Sequence, residues 1–297
     1  MDPLAYYATQ SQITDPGKHA GLFADLPNTI DGLCKVVQGI YIHYNEGEMY
    51  NYQIPGARLP EINIRYVEKM LARIAELDTR PLTETRPPEK RLVGYCRDAA
   101  TLFCAMARHQ GIPARHRVGF ATYFAGTSLD LPGSHEIAEY WDTDEGCWRL
   151  VDPHLDALTI QKNNIQFDLC DVPQEQFLVG GKAWQMCRAG DADPNGFGIG
   201  DFRGLWFIRN NMIQDLAAQN KMEPLNWDNW GLMLKDMETH TEEEWRLLDQ
   251  VAALTQASNE AFTEMRAIYE AEIGLKVPRV IKSYSPVGAP CEVTLPI

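Results

Sequence analysis

Apolar and small residues recur at three- and four-residue steps through Cys96, Ala99, Ala100, Phe103, Cys104 and Ala107. The stretch Gly94 to Arg108 therefore predicts an amphipathic helix with one face turned inward. Gly94 ends the segment before it, and Gly111-Ile112-Pro113 stops the helix with a glycine, an apolar residue and a proline. Cys96 thus falls in the first helical turn. Upstream, a polar arm over residues 1–33 leads to a short helix near Leu33 to Tyr44. A loop-like run over 50–60 follows, then a helix from about Glu61 to Leu77 with Val67, Met70, Leu71, Ile74 and Leu77 as its buried stripe. Pro81, Pro87 and Pro88 make 78–90 a linker.

Past the Cys96 helix the period changes from helical to alternating. Ala114 to Phe124 predicts a strand, Gly126 to Gly133 a surface loop, and Ser134 to Trp141 and Cys147 to Val151 two further strands. Asp142-Thr143-Asp144-Glu145-Gly146 suits the hairpin between the last two. A helix followed by an antiparallel meander is the expected core. Beyond Pro153, Asp156 to Val179 is mixed, Gly180 to Gly204 reads as a glycine-rich loop, and Arg203 to Met222 as a helix. Thr241-Glu242-Glu243-Glu244 is a capping box opening a long helix to about Ile273. The proline-rich tail from Val277 is expected along the surface.

Composition narrows the partners. A net charge of −14 with a pI near 4.9 argues against nucleic acid or an anionic membrane as the main partner, since both would be repelled at long range. The seven cysteines are scattered without a CxxC pair, which points to thiols in a reducing compartment. No basic-then-apolar leader opens the chain, and no apolar run is long enough for a bilayer. A cytoplasmic protein is the expectation.

Cys96 carries the candidate chemistry. A thiol in the first turn of a helix lies among N–H groups that favour its thiolate, and the same groups can receive a developing oxyanion. The other reading of this helix alone is a small buried hydrophobe at the end of a core helix. If the hairpin loop is Asp142 to Glu145, His135 and Asp152 fall opposite each other on adjacent strands, with Cβ atoms about 4.5–5.5 Å apart. A slip of one residue would put them on opposite faces. A cysteine, a histidine that takes and returns its proton, and an acid that fixes the histidine make the set for nucleophilic thiol catalysis. His154 and Asp156, close by in sequence, could instead ligate a divalent metal.

The words around these residues are specific. Gly94-Tyr95-Cys96-Arg97-Asp98-Ala99-Ala100, then Gly111-Ile112-Pro113-Ala114-Arg115, Ser134-His135, Gly146-Cys147-Trp148 and Val151-Asp152-Pro153 resemble the core of the transglutaminase-like superfamily. The resemblance spans about residues 94–155. It implies an α+β, papain-like fold in which Cys96 is the nucleophile, His135 the general base and acid, and Asp152 the orienting partner, with no cofactor. The domain reading that goes with it is 1–90 as arm and helices of the same domain, 91–160 as catalytic core, and 161–297 as a mainly helical extension.

The implied activity is acyl transfer through a thioester on Cys96. The donor would be an amide, ester or thioester on a peptide, protein or small molecule, and water or an amine would accept the acyl group. The alternatives are a non-catalytic binding protein with the same fold, or a metal-dependent hydrolase. The sequence departs from the family pattern after the histidine, where Glu136-Ile137 replace Ala-Trp. It also lacks a tryptophan upstream of the cysteine to assist the oxyanion, its first being Trp141. A polar residue from the Tyr50 to Gln53 loop is the expected substitute.

Overall fold

The computed structural model describes residues 1–124, 132–257 and 259–296. In chain order its helices are α1 (Pro3–Tyr7), α2 (Ile30–Ile40), α3 (Val67–Leu77), α4 (Cys96–His109), α5 (Ala157–Asn163), α6 (Gly180–Ala189), α7 (Leu205–Gln219), α8 (Glu242–Gln256) and α9 (Phe262–Ala271). Its strands are β1 (Tyr41–His43), β2 (Leu92–Gly94), β3 (Ala114–Ala121), β4 (Gly133–Asp142), β5 (Cys147–Val151), β6 (Phe177–Val179), β7 (Gly198–Ile199), β8 (Phe202–Arg203), β9 (Asp228–Asn229), β10 (Val280–Ser283) and β11 (Cys291–Thr294). The fold is α+β, as expected. Two compact units share the chain: residues 2–116 with 137–172, and residues 117–136 with 173–297. Both β3 and β4 pass from one unit into the other. Most of the expected loop at Gly126 to Gly133 lies outside the described residues.

The first unit is built on α2, α3 and α4. Thr29 caps α2 by accepting the Gly32 N–H at 3.3 Å. Leu33, Val37 and Ile40 of α2, Met70, Leu71 and Ile74 of α3, and Leu102, Phe103 and Met106 of α4 form one apolar cluster. The expected stripe on α3 is therefore in place apart from Leu77, the last residue of the helix, which is only half-buried. The helix itself starts six residues later than expected, because Gly56–Asn63 winds as a 3₁₀ turn before it. The one-sided burial expected of α4 is not observed: every residue from Cys96 to Arg108 is buried. Its polar groups are held accordingly. Arg97 pairs with Asp98 at 3.1 Å and donates to the Arg65 carbonyl at 2.8 Å, while Arg108 donates to the Ala114 carbonyl and to Thr14 Oγ1. Such bonds are what burial of charged groups demands.

Strands β1 and β2 pair in parallel, Tyr41 with Leu92 through His43 with Gly94. This pairing delivers two distant chain segments to the start of α4. Further on, β4 and β5 form the expected hairpin with Asp142 opposite Cys147, so the loop is Thr143 to Gly146.

In the second unit, β6 runs antiparallel to the Gly119–Ala121 end of β3, β7 parallel to β4 at Gly133, and β8 antiparallel to β7, giving a mixed sheet. Helices α6, α7 and α8 pack on one another. The expected glycine-rich loop is in fact α6 at its start. A Cβ on Gly180 would meet the Met212 backbone of α7 at 2.7 Å, and one on Gly181 the Ala252 carbonyl of α8 at 2.6 Å. These glycines admit close helix contact rather than breaking a helix.

The long helix expected from Thr241 has its capping box, with Glu244 N–H on Thr241 Oγ1 and Thr241 N–H on Glu244. It ends at Gln256, Ala257 is extended, and α9 begins at Phe262. The tail, expected as a surface run, forms the β10–β11 hairpin, which pairs with β9. A buried ion pair ties β3 to α7: Arg117 grips both oxygens of Asp215 at 3.0 and 2.9 Å, and Asp215 also accepts the Val118 N–H. Among the described residues no helix is long and apolar enough to cross a membrane.

Candidate active site

Cys96 is the first residue of α4, with 3% of its surface exposed. Tyr95 before it is extended, and the Asp98 carboxylate accepts the Tyr95 N–H at 2.9 Å while pairing with Arg97. The helix start is thereby fixed one turn deep. The first-turn N–H groups and the positive end of the helix dipole lie at this end of α4. Gly94 has a further role besides ending β2. A Cβ there would meet Cε2 of the Tyr41 ring at 2.7 Å and Asp98 Oδ2 at 3.0 Å, so only glycine lets the Tyr41 ring lie against the start of α4.

Asp152 follows β5 and is fully buried. Its N–H donates to the Leu169 carbonyl at 2.9 Å, and its carboxylate accepts the His154 N–H at 3.0 Å. The His154 ring is bonded through Nε2 to Glu46 at 2.9 Å, stacks on His43 with centroids 4.9 Å apart, and meets the edge of Tyr41 at 5.6 Å. Burial works against charge on both partners, yet each favours it in the other. The Glu46 carboxyl is lowered to about 2, and His154 is raised above its ordinary value by Glu46, with Asp152 and Asp156 adding to it.

His43 in turn faces the Tyr95 ring at 5.4 Å. Burial, and then a negative charge on Cys96, push the Tyr41 and Tyr44 hydroxyls upward, that of Tyr41 strongly. The residues that reach the thiol's surroundings thus come from β1 and the turn after it. Of the Tyr50 to Gln53 loop, expected to supply the missing polar group, Tyr50 and Tyr52 are engaged elsewhere. Tyr50 donates to Asp156 at 2.8 Å, and the Tyr52 hydroxyl accepts from Arg58 at 3.3 Å.

His135 lies on β4 in the other unit, also buried. Phe124 meets its ring edge-on at 4.8 Å, and Tyr123 and Phe177 flank it at 6.1 and 6.5 Å. The residues on either side are anchored as well, Ser134 to Asn211 at 3.2 Å and Glu136 to Asn226 at 2.9 Å.

The expected register of the hairpin needs correction. With Ala138 opposite Val151, the count continues to Asp152 opposite Ile137, two residues along β4 from His135. The cause is the turn: the loop begins one residue later than expected because Asp142 stays in the ladder and accepts the Asp144 and Glu145 N–H groups. Side chains alternate along a strand, so His135 projects to the same side of β4 as Ile137.

Asp156, one of the two residues read as a divalent ligand, is spent otherwise. It caps α5 through the Leu158 and Thr159 N–H groups and receives the Tyr50 hydroxyl. Sequence reasoning missed Tyr41, His43 and Glu46. Nothing local marks them, since their partners lie about fifty to a hundred residues away, and only the parallel pairing of two three-residue strands brings them in.

Residues 57–153 match the family model of the transglutaminase-like superfamily, a span that contains Cys96, His135 and Asp152. No curated protein matches the chain. One solved structure, described as "a Putative Cysteine Protease from Cytophaga hutchinsonii", aligns over 59% of this chain and 44% of its own, at 18% identity and a TM-score of 0.29. The chain therefore spans under half the length of that protein, and the likeness is too loose to carry an argument.

Proposed function

We propose, for a chain whose residues 57–153 form a transglutaminase-like core, thiol-dependent acyl transfer through an acyl-enzyme on Cys96. The family match supports cysteine-dependent hydrolase or transferase chemistry in general, and the roles assigned here go further. The observation that carries them is the position of Cys96 as the first residue of a buried helix. That position favours the thiolate and offers N–H groups to an oxyanion from the same turn.

In this reading His135 takes the Cys96 proton, and the thiolate attacks the carbonyl carbon of an amide, ester or thioester. The oxyanion collapses, the leaving group departs with the proton from His135, and a thioester remains on Cys96. Water or an amine, deprotonated by His135, then resolves it. Asp152 keeps the imidazole in the tautomer and orientation that this requires. Its own rigidity, through the Leu169 and His154 backbone bonds, suits that task.

The test is limiting iodoacetamide across pH 5 to 9, read by peptide mass in wild type and His135→Ala. Cys96 is expected to label ahead of the other six cysteines, to stay reactive below the free-thiol pKa of about 8.5, and to lose that lead in the variant. An inert or ordinary Cys96 would remove the enzyme reading and leave the fold.

A further inference from the structure

The acyl-transfer reading leaves one requirement unmet. A tetrahedral oxyanion on a papain-like thiol enzyme needs a donor besides the helix N–H groups, and the sequence has no upstream tryptophan to give it. Tyr41, the first residue of β1, has the properties such a donor needs. Its side chain is buried at 3% exposure, and its hydroxyl has no hydrogen-bond partner among the described residues. Buried hydroxyls are nearly always paired, and leaving one unpaired costs stability, so an exception asks for a function.

The ring is held on three sides. Its backbone pairs with Leu92 in the parallel ladder, the His154 ring meets its face or edge at right angles at 5.6 Å, and the Cα of Gly94 lies close beneath it. The Gly94 contact is with Cε2, the carbon next to the one bearing the hydroxyl, and Gly94 is two residues before Cys96. The polar end of the ring therefore sits at the start of α4. Among the charges it feels, that of Cys96 acts most strongly, with Glu46, Asp98 and Asp152 following. All of these, with burial, keep the phenol protonated, so that it donates and does not compete as an anion.

We propose that Tyr41 is a catalytic residue whose O–H donates to the oxyanion formed when the Cys96 thiolate adds to an acyl donor. The proposal rests on the acyl-transfer reading. In the step concerned, the sulfur lone pair forms the C–S bond while the carbonyl π pair moves onto oxygen. The oxyanion accepts from the Tyr41 hydroxyl and the first turn of α4, then re-forms the carbonyl as the leaving group takes the departing pair. Tyr41 holds its proton throughout.

Two reagents separate this role from any other. p-Nitrophenyl acetate acylates a thiolate through a tetrahedral oxyanion, whereas iodoacetamide alkylates it by displacing iodide from a saturated carbon with no oxyanion. In the full-length chain, Tyr41→Phe is expected to slow acylation of Cys96 by p-nitrophenyl acetate by about 10²–10³-fold, the range for loss of one oxyanion donor. Alkylation by iodoacetamide should stay within about twofold, because thiolate formation is untouched. The thermal midpoint should hold or rise, since the substitution removes an unpaired buried hydroxyl and keeps the ring.

Equal slowing of both reagents, or of neither, would overturn the assignment of Tyr41 while leaving the thiol reading intact. A fall in the thermal midpoint with both rates reduced would make Tyr41 a packing residue. A wild-type Cys96 inert to both reagents would overturn the acyl-transfer reading and the assignment with it.

Discussion

The two units hold their candidate residues by different physics. Around Cys96 and Asp152 the side chains are charged and hydrogen-bonded: Asp98 with Arg97 at the helix start, and Glu46 with His154 against the Asp152 carboxylate. Around His135 they are rings: Phe124, Tyr123 and Phe177. A nucleophile and its orienting acid depend on which protonation state they keep, and fixed charges govern that. A histidine that must take and return a proton depends on its orientation, and the ring contacts around His135 fix the plane of its imidazole. Charge on one side and shape on the other should therefore fail differently when perturbed.

The widest test puts both sides on one scale. Cys96→Ala and His135→Ala should each lower turnover of a thioester donor by about 10⁴–10⁶-fold, the range for a member of a unit that acts together. The double variant should be no worse than the poorer single one, measured by steady-state release of the thiol product. Independent, multiplying losses would mean that the two residues do not work as a unit.

Next in size is the ion pair that ties β3 to α7. Asp215→Asn leaves Arg117 buried without its counter-charge and should cost about 3–5 kcal/mol in urea unfolding, with Arg117 and Asp215 both nearly fully buried. A loss under half of that would show that the amide keeps enough of the bonds to Arg117 and to the Val118 N–H.

Glu46→Gln probes the charged side and has a signed pH dependence. His154 is raised above its ordinary 6.5, so its contribution is complete below that value and fades as pH climbs through the higher folded pKa. Glu46 is lowered from 4.5 to about 2, so its contribution is complete above 4.5 and fades as pH falls toward 2. The stability gap between wild type and Glu46→Gln should thus be greatest between about pH 4.5 and 6.5, at about 1–3 kcal/mol, and shrink on either side. A gap that widens above neutral pH would contradict the pairing.

The smallest effect belongs to the ring side. Phe124→Leu keeps apolar bulk but loses the edge-on contact with His135, worth about 0.5–1.5 kcal/mol. The lead of Cys96 in iodoacetamide labelling should fall a few-fold. An unchanged lead would mean that the rings do not hold His135 in place.

The sequence carried the local part of this design. Alternation and turn residues place β5 to the residue, the period places α3's stripe apart from Leu77, and Gly111-Ile112-Pro113 follows directly on the C-cap of α4, Gln110. What it could not carry was tertiary. Gly180 and Gly181 look like chain breakers until the α7 and α8 backbones are beside them. The full burial of α4 is hidden because Arg97, Asp98 and Arg108 read as a solvated face unless their distant partners are known. The register of β4 on β5 turned on one residue of loop, Asp142, whose side chain bonds within the turn while its backbone stays in the ladder. Tyr41, His43 and Glu46 reach the site by a three-residue parallel pairing, which no local pattern encodes.

The way the two units share the chain bears on the order in which the protein can be made. Residues 117–136 belong to the second unit but lie between the two stretches of the first, so no single cut separates the units. During synthesis the Cys96 unit stays incomplete until residue 172 has emerged. The strand bearing His135 pairs with β5 at its far end, but its Gly133 end gains its β7 partner only from residues 173–297. Such late, long-range closures are slow relative to helix formation, so α2, α3 and α4 are expected to collapse first on a ribosome-bound chain.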